Sequence, residues 1–265
     1  MLKATFQCLG KIRAETELRL WEDGCLCWDD LKRHSAWRLS SRKQAALLDH
    51  VDMAEAALDA GMADWFLNRL KGAAKLRVAN DFIRDALYLD IETTGMGIDD
   101  EVTCVGTWKN GCAKCFVRGI NLTDFMAEVA AARLLVTYNG DRFDLPFLRK
   151  CFGIGLALPH LDLMYPLRAL GCRGGLKACE KQLGFKRVFS AGQDGREAIR
   201  LWDSWNKCRV SDDLRHLVRY NIEDAYSLAW LTAKTAPYTM ANYPLGVDVR
   251  LPPPPNLRNL DNLAL

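Results

Sequence analysis

The sequence predicts an α/β protein: a mixed five-stranded sheet flanked by helices, preceded by a helical N-terminal subdomain. Three observations lead there. Up to about residue 80, apolar residues recur at helical spacing and the breaks fall at glycine. From about residue 85, short runs rich in β-formers appear, bounded by turn residues. Those runs come first as a hairpin-linked meander and then alternate with helical segments, the order of a sheet with helices on its faces.

The elements follow in turn. "AETELRLWEDG" predicts a helix stopped by Gly24. "SRKQAALLDHVDMAEAALDAG" predicts a longer one, capped by Ser40 or Ser41 and ended by Gly61, and "ADWFLNRLKG" follows it. "ALYLDIE" is a strand. "EVTCVGTWKNGCAKCFVRG" is a strand-turn-strand hairpin around Asn110-Gly111. "NLTDFMAEVAAARL" predicts an amphipathic helix with Asn121 near its N-cap, and "LLVTY" a fourth strand. "DLPFLRKCF" opens a helix with Pro146 in its first turn, where a missing N–H costs nothing. "HLDLMYPL" reads as a short fifth strand running into a helix, and "GLKACEKQLGF" and "SDDLRHLVRYNIEDAYSLAWLTAKT" as further helices. The expected division is a helical subdomain over 1–80, a sheet domain over 81–236 and a proline-rich tail over 237–265. That tail should lie extended over the surface or be partly disordered.

Composition narrows the class. The 265 residues are 49% hydrophobic and 26% charged, ordinary for a globular protein. No apolar run reaches the roughly 18 residues of a membrane span, and the N-terminus lacks a secretory signal core, so a cytoplasmic location is expected. Ten cysteines, mostly single and in apolar segments, then read as reduced packing residues. Cys112 and Cys115 form a CxxC, but no second Cys/His pair stands at matching spacing, which argues against zinc. Net charge is only +3, yet twelve Lys/Arg face six acids between Pro166 and Tyr220. A basic surface there suits a polyanion, and a solvated helix face accounts for it equally well.

One feature resists a purely structural account. In the strand "LYLDIETTG", Asp90 and Glu92 stand at i and i+2, on the same face, with Cα atoms about 6.5–7 Å apart. They share a proton, hold a hard cation, or sit at an exposed strand end. Asp144 in "YNGDRFDLPFL" lies at a helix entrance, where an N-cap is its everyday role. Asp224 in "RYNIEDAYSL" has Tyr220 one turn earlier on the same helix face. Four carboxylates without a His or Cys partner suit Mg²⁺ or Mn²⁺. Two such ions about 3.5–4 Å apart clamp a scissile phosphate.

These motifs, in this order over residues 86–234, resemble the three motifs of the DEDD (DnaQ-like) 3′–5′ exonucleases, which have an RNase H-like fold. The resemblance implies that Asp90 bridges two divalent cations, that Glu92 and Asp224 complete one site, and that Asp144 serves the second. Tyr220 matches the tyrosine of the DEDDy branch. The DEDDh histidine stands five residues before the last acid, where this chain has Arg219. Tyrosine titrates near pH 10, so Tyr220 would orient the attacking water rather than act as a strong base. Thr93 in the first motif is a weaker candidate for substrate contact. Asn139 and Phe143 are candidates to contact or stack on a terminal nucleotide, and Arg173 and Lys177 to hold phosphates. Asp162 in "HLDLM" reads as structural or as a support for the metal-binding acids. The N-terminal "TFQCLGKIRAETELRLWEDG", with "HLDLMYPLRAL" and "GLKACEKQLGF", extends the likeness to the bacterial YprB-type RNase H-like family. Relatives there begin with a helix-hairpin-helix-like glycine turn, of which only Gly10, ahead of Lys11-Ile12-Arg13, is left.

The function implied is two-metal 3′–5′ exonuclease hydrolysis of single-stranded DNA or RNA ends. Two alternatives stand beside it. One is a non-catalytic nucleic-acid-binding module, whose binding needs no metal. The other is a structure-specific endonuclease, which would cut circular or end-blocked substrates.

Overall fold

The computed structural model describes residues 1–33, 41–97, 99–153, 155–190, 195–248 and 250–254. The helical N-terminal stretch contains α1 (Ala14–Glu22), α2 (Trp28–Arg33), α3 (Ser41–Asp59), α4 (Ala63–Leu67) and α5 (Leu76–Asp81). Gly24 and Gly61 stand just beyond α1 and α3 with φ of 86° and 68°, the left-handed geometry that ends a helix. Of the two expected caps of α3, Ser40 lies outside the described residues, as does the tail from residue 255.

The sheet is built from β1 (Ala86–Thr93), β2 (Val102–Lys109), β3 (Cys112–Val117), β4 (Leu134–Thr137) and β5 (His160–Asp162), in the order β3-β2-β1-β4-β5. The first three strands form an antiparallel meander, and β4 and β5 run parallel to β1. The β2–β3 turn places Asn110 and Gly111 at φ 47° and 84°, the two positive values that a two-residue hairpin loop of Asn-Gly supplies without strain. Cys112, next to that turn, is exposed, and Cys115 is buried.

Helices cover both faces. α6 (Phe125–Ala130) and α7 (Asp144–Phe152) lie on one side, where Leu87, Leu89 and Ile91 of β1 join Phe125 and Leu148 in a cluster. The α6 helix is shorter than its periodicity suggests. Asn121 does not cap it: its Oδ1 accepts from the Val117 N–H at 2.7 Å, which fastens the end of the hairpin instead. α8 (Met164–Ala169) and α9 (Leu176–Leu183) follow β5. α10 (Gly195–Cys208) and the long α11 (Ser211–Thr235) complete the chain's helices among the described residues. α10 has no counterpart among the helices expected from the sequence, although Ala198, Leu201, Trp202 and Trp205 bury one of its faces at helical spacing.

One hydrophobic cluster runs from Leu2, Phe6 and Trp28 through Phe66 to Tyr88, Trp108 and Leu231, so the N-terminal helices and the sheet pack without a solvent gap. A buried ion pair ties α1 to α5 and both to the turn after α11. Arg77 donates to both oxygens of Glu17, at 3.0 and 2.9 Å, and its Nε donates to Thr239 Oγ1 at 3.1 Å. The tail is not wholly extended: Ala236–Met240 form a 3-10 turn, and Tyr226 donates to the buried Pro252 carbonyl at 3.0 Å.

Candidate active site

Strand alternation sets the site. On β1 the odd-numbered apolar residues 87, 89 and 91 face the α6–α7 side, which leaves Asp90 and Glu92 on the α11 side. A register shift between Glu92 and Thr93 then ends the regular pairing with β2. Opposite Asp90 on β2 stands Gly106. A Cβ there would come within 2.6 Å of the Asn221 carbonyl oxygen, so only glycine admits the α11 backbone this close. Asn221 uses the approach: its Nδ2 donates to the carbonyl and to Oδ2 of Asp90, both at 3.0 Å.

Asp224 stands one turn further along α11. Ligand oxygens of Asp90, Glu92 and Asp224 all lie within 4.8 Å of one another, and no other three His, Cys, Asp or Glu residues group this closely among the described residues. Asp144 opens α7 outside that triangle, but its charge acts on both Asp90 and Glu92. It is buried and is the first residue of α7, one position past the N-cap, which is Phe143.

Burial dominates the electrostatics. Burial, then the charges of Asp224, Glu92 and Asp144, holds the Asp90 carboxyl well above the usual range. Glu92 is raised in the same way, first by burial. Asp144 is pushed up to about 7 by burial, helped by Asp162. Asp224 rises to about 6, burial outweighing the pull of Arg187 and Lys177.

Two cations enter from α9 and the loop after it. Arg187 donates to Asp224 Oδ1 and, at 2.6 and 2.7 Å, to the two oxygens of Glu180. Lys177 donates to the Tyr220 hydroxyl at 2.5 Å and lies 4.3 Å from the centre of its ring. Burial and the neighbouring carboxylates raise Tyr220 far above an ordinary phenol, so the hydroxyl stays protonated. Burial lowers Lys177. The loop carrying Arg187 is itself pinned, because the Val188 and Ser190 N–H groups donate to buried Glu223 at 2.5 and 2.9 Å.

The weaker candidates divide. Lys177 reaches the site. Arg173 spends its guanidinium on the carbonyls of Arg168 and Cys172, and no described contact joins it to the acids. Thr93 is buried, and its hydroxyl donates to the Gly95 carbonyl at 2.5 Å, shaping the turn after β1. Phe143 packs on Phe147 with ring centres 5.0 Å apart. Asn139 adopts φ 61°, and its N–H donates to Asp162 at 2.7 Å. Asp162 also accepts from the N–H of Met164 at 3.0 Å, so this acid shapes the turn that leads to Asp144. Arg187, Glu180, Asn221 and Gly106 escape sequence reasoning. The one signal for Arg187 is its place in the basic stretch before the last motif.

Residues 87–236, more than half of the chain, match the RNase_H_2 model of the RNase_H superfamily. The chain belongs to the RNase_H superfamily. The strand order and the helices on both faces of this RNase H-like domain make the α/β reading of the sequence correct. Among solved structures, the family B DNA polymerase of the hyperthermophilic archaeon Pyrobaculum calidifontis matches at 18% identity with a TM-score of 0.44. That match covers 60% of this chain and 26% of the polymerase, so the chain spans only a fraction of its length. No curated protein matches. No helix among the described residues is long and apolar enough to cross a membrane.

The donor set decides what this RNase H-like site can hold. Oxygen carboxylates alone, crowded and with an excess of negative charge over Lys177 and Arg187, suit a hard divalent cation and not zinc or copper. Cys104 pairs with Glu92 across β1–β2, but burial raises its thiol so far that it offers no thiolate.

Proposed function

We propose that the chain is a metal-dependent 3′–5′ exonuclease of the DEDDy type, near the YprB-type RNase H-like proteins, acting on single-stranded DNA or RNA ends. The observation that carries this is the group of Asp90, Glu92 and Asp224 within 4.8 Å, with Tyr220 one helical turn from Asp224. Asp90, Glu92, Asp144 and Asp224 would hold two Mg²⁺ or Mn²⁺ ions, which when bound supply a nucleophilic hydroxide and neutralise charge on the phosphate. The chain's own contributions follow from its geometry. Asn221 fixes Asp90 with two hydrogen bonds, so that carboxylate does not have to reorganise as charge moves. The protonated Tyr220 hydroxyl, which accepts from Lys177 and keeps its own proton to donate, would orient water toward phosphorus. Water adds, the 3′-oxygen of the preceding nucleotide leaves, and the products are a nucleoside 5′-monophosphate and a shortened strand.

The division into a helical unit over 1–80, a catalytic unit over 81–236 and a tail over 237–265, and a cytoplasmic location for the reduced cysteines, belong to the same reading. End-labelled single-stranded DNA and RNA, incubated with purified protein and Mn²⁺ or Mg²⁺, test it. Stepwise shortening that Asp90→Ala abolishes is expected, and a wild type no more active than that variant ends the catalytic claim. Circular and 3′-blocked substrates separate an exonuclease from an endonuclease.

One observation favours a second reading, a nucleic-acid-binding module without catalysis. Arg187 on Asp224 is a cation already built into the acid cluster. On that reading, binding survives Asp90→Ala and needs no metal.

A further inference from the structure

The three parallel strands β1, β4 and β5 end on the same rim of the sheet, and the acids occupy only the β1–β4 part of it. Beyond them, where β5 runs into α8, the rim opens into a second concavity. It is a groove of about 460 Å³ between the Leu67–Lys75 segment of the N-terminal helices and the corner from His160 to Pro166. That volume suits a nucleotide unit. The N-terminal segment is seated firmly, since Gly72, with φ 53°, lies where an added Cβ would touch the Ala169 side chain at 3.6 Å.

The polar groups of this groove are of two kinds. Its acids are engaged. Asp162 accepts from three backbone N–H groups, those of Asn139, Asp141 and Met164, and Asp141 pairs with His160 Nδ1 at 3.2 Å. His160 in turn meets Thr137 Oγ1 at 2.8 Å through its other nitrogen. Its lysines are not engaged: Lys71 and Lys75 have no hydrogen-bonded or ionic partner among the described residues, and Lys75 is half-buried. An ammonium at a cleft wall that no carboxylate ties down can turn to an incoming anion. Tyr165 stands beside them with 45% of its surface exposed. Arg168, one turn further along α8, is exposed on the same side. Cations without an ion-pair partner beside an exposed ring are what a single nucleic-acid strand uses, phosphates on one and a base on the other.

We propose that this groove is a second subsite for the single-stranded substrate. Lys71 and Lys75 hold its backbone phosphates and Tyr165 stacks on a base, to one side of the bond that is cut. The inference rests on the exonuclease reading for its direction but not for the binding itself. The Asn139–Asp144 turn joins the two sites, because Asp162 fixes one end of it in the groove and Asp144 lies at the other. The N-terminal helices thereby belong to the substrate surface and are more than a lid on the core.

The test measures binding of labelled dT12 and rU12 in EDTA, together with cleavage of the same strands and of a dinucleotide in Mn²⁺. The double variant Lys71→Ala/Lys75→Ala and, separately, Tyr165→Ala should each weaken binding of the 12-mers about tenfold. The double variant should also flatten the dependence of log affinity on log salt by about 1.4, which is about 0.7 for each phosphate deprived of its lysine. Tyr165→Phe should bind as wild type does. Cleavage of the dinucleotide, too short to span both sites, should not change, so the loss falls on KM for long strands. Unaltered 12-mer binding in both variants overturns the subsite, and so does an equal loss for long and short substrates. If wild type binds through these residues but cleaves nothing, the exonuclease reading falls and the subsite stands. If wild type cleaves and the variants match it, the subsite falls alone. The dT12 and rU12 arms report which polymer the groove prefers.

Discussion

Two regions of this molecule bury charge, and they do so in opposite ways. Around Arg77 every charge is answered: Glu17 takes two hydrogen bonds from the guanidinium, and it also accepts from the Phe6 N–H at 2.7 Å and from Gln7 Nε2 at 2.6 Å. Around Asp90 three carboxylates crowd together beside two cations, with Asp144 acting on them from outside the group, and burial pushes all four acids toward their neutral forms. The first arrangement is complete, and its work is cohesion between the N-terminal helices and the final 3-10 turn. The second is stable only as a compromise that a divalent cation would relieve. Charge excess, and not burial of charge, sets the two regions apart.

The contrast is tested most severely by neutralising one member of each region. Asp90→Asn keeps the shape and should lower hydrolysis by about 10³-fold or more. The same change should raise metal-free stability by about 1 kcal/mol, because one source of repulsion is gone. Arg77→Met should do the reverse. It leaves Glu17 buried and unpaired, costs about 3–5 kcal/mol in denaturant unfolding, and reduces activity only in proportion to the folded fraction. A stabilising Arg77→Met or a destabilising Asp90→Asn would erase the distinction.

Smaller changes refine it. Tyr220→Phe should cut kcat about a hundredfold while calorimetry finds metal affinity unchanged. Gly106→Ala should cost about 1–3 kcal/mol, since the new methyl group meets the α11 backbone, and should reduce activity by moving Asn221 off Asp90. The last effect is a dependence on pH. Asp144 and Asp224 have folded values of about 7 and about 6, above the roughly 3.9 of an unfolded aspartate. The folded state therefore binds protons more tightly. The stability this contributes is complete below about pH 4 and is lost as pH rises through about 6–7. In EDTA the Tm should fall by about 5 °C between pH 5 and pH 8. Mg²⁺ or Mn²⁺ should restore it at pH 8 and do little at pH 5, where the ligands are protonated.

The acids themselves are legible in the sequence because a carboxylate in a strand of Leu, Tyr and Ile contradicts its surroundings. Asp90 and Glu92 declare their common face through period two alone. Their supports are not legible, because those act across the chain: Asn221 reaches Asp90 over 131 residues and Arg187 reaches Asp224 over 37. Local spacing carries no trace of such pairings. Gly106 needs one more step, since its role emerges only when β2 and α11 are known to touch. The α10 helix is a different case. Its apolar period is in the sequence, but the charges of that stretch mask it.

The placement of Asp224 on α11 also bears on how the chain acquires its chemistry in time. Strands β1 and β2 and their hairpin form from contacts between near neighbours, whereas β4 and β5 must wait for crossover segments and α11 for the whole sheet. Asn221 and Asp224 arrive together on the last long helix. A ribosome-bound chain that has emerged only through α10 thus carries Asp90, Glu92 and Asp144 but no closed cage. On the exonuclease reading, a chain without the helix that carries Tyr220, Asn221 and Asp224 has no closed site and cuts nothing.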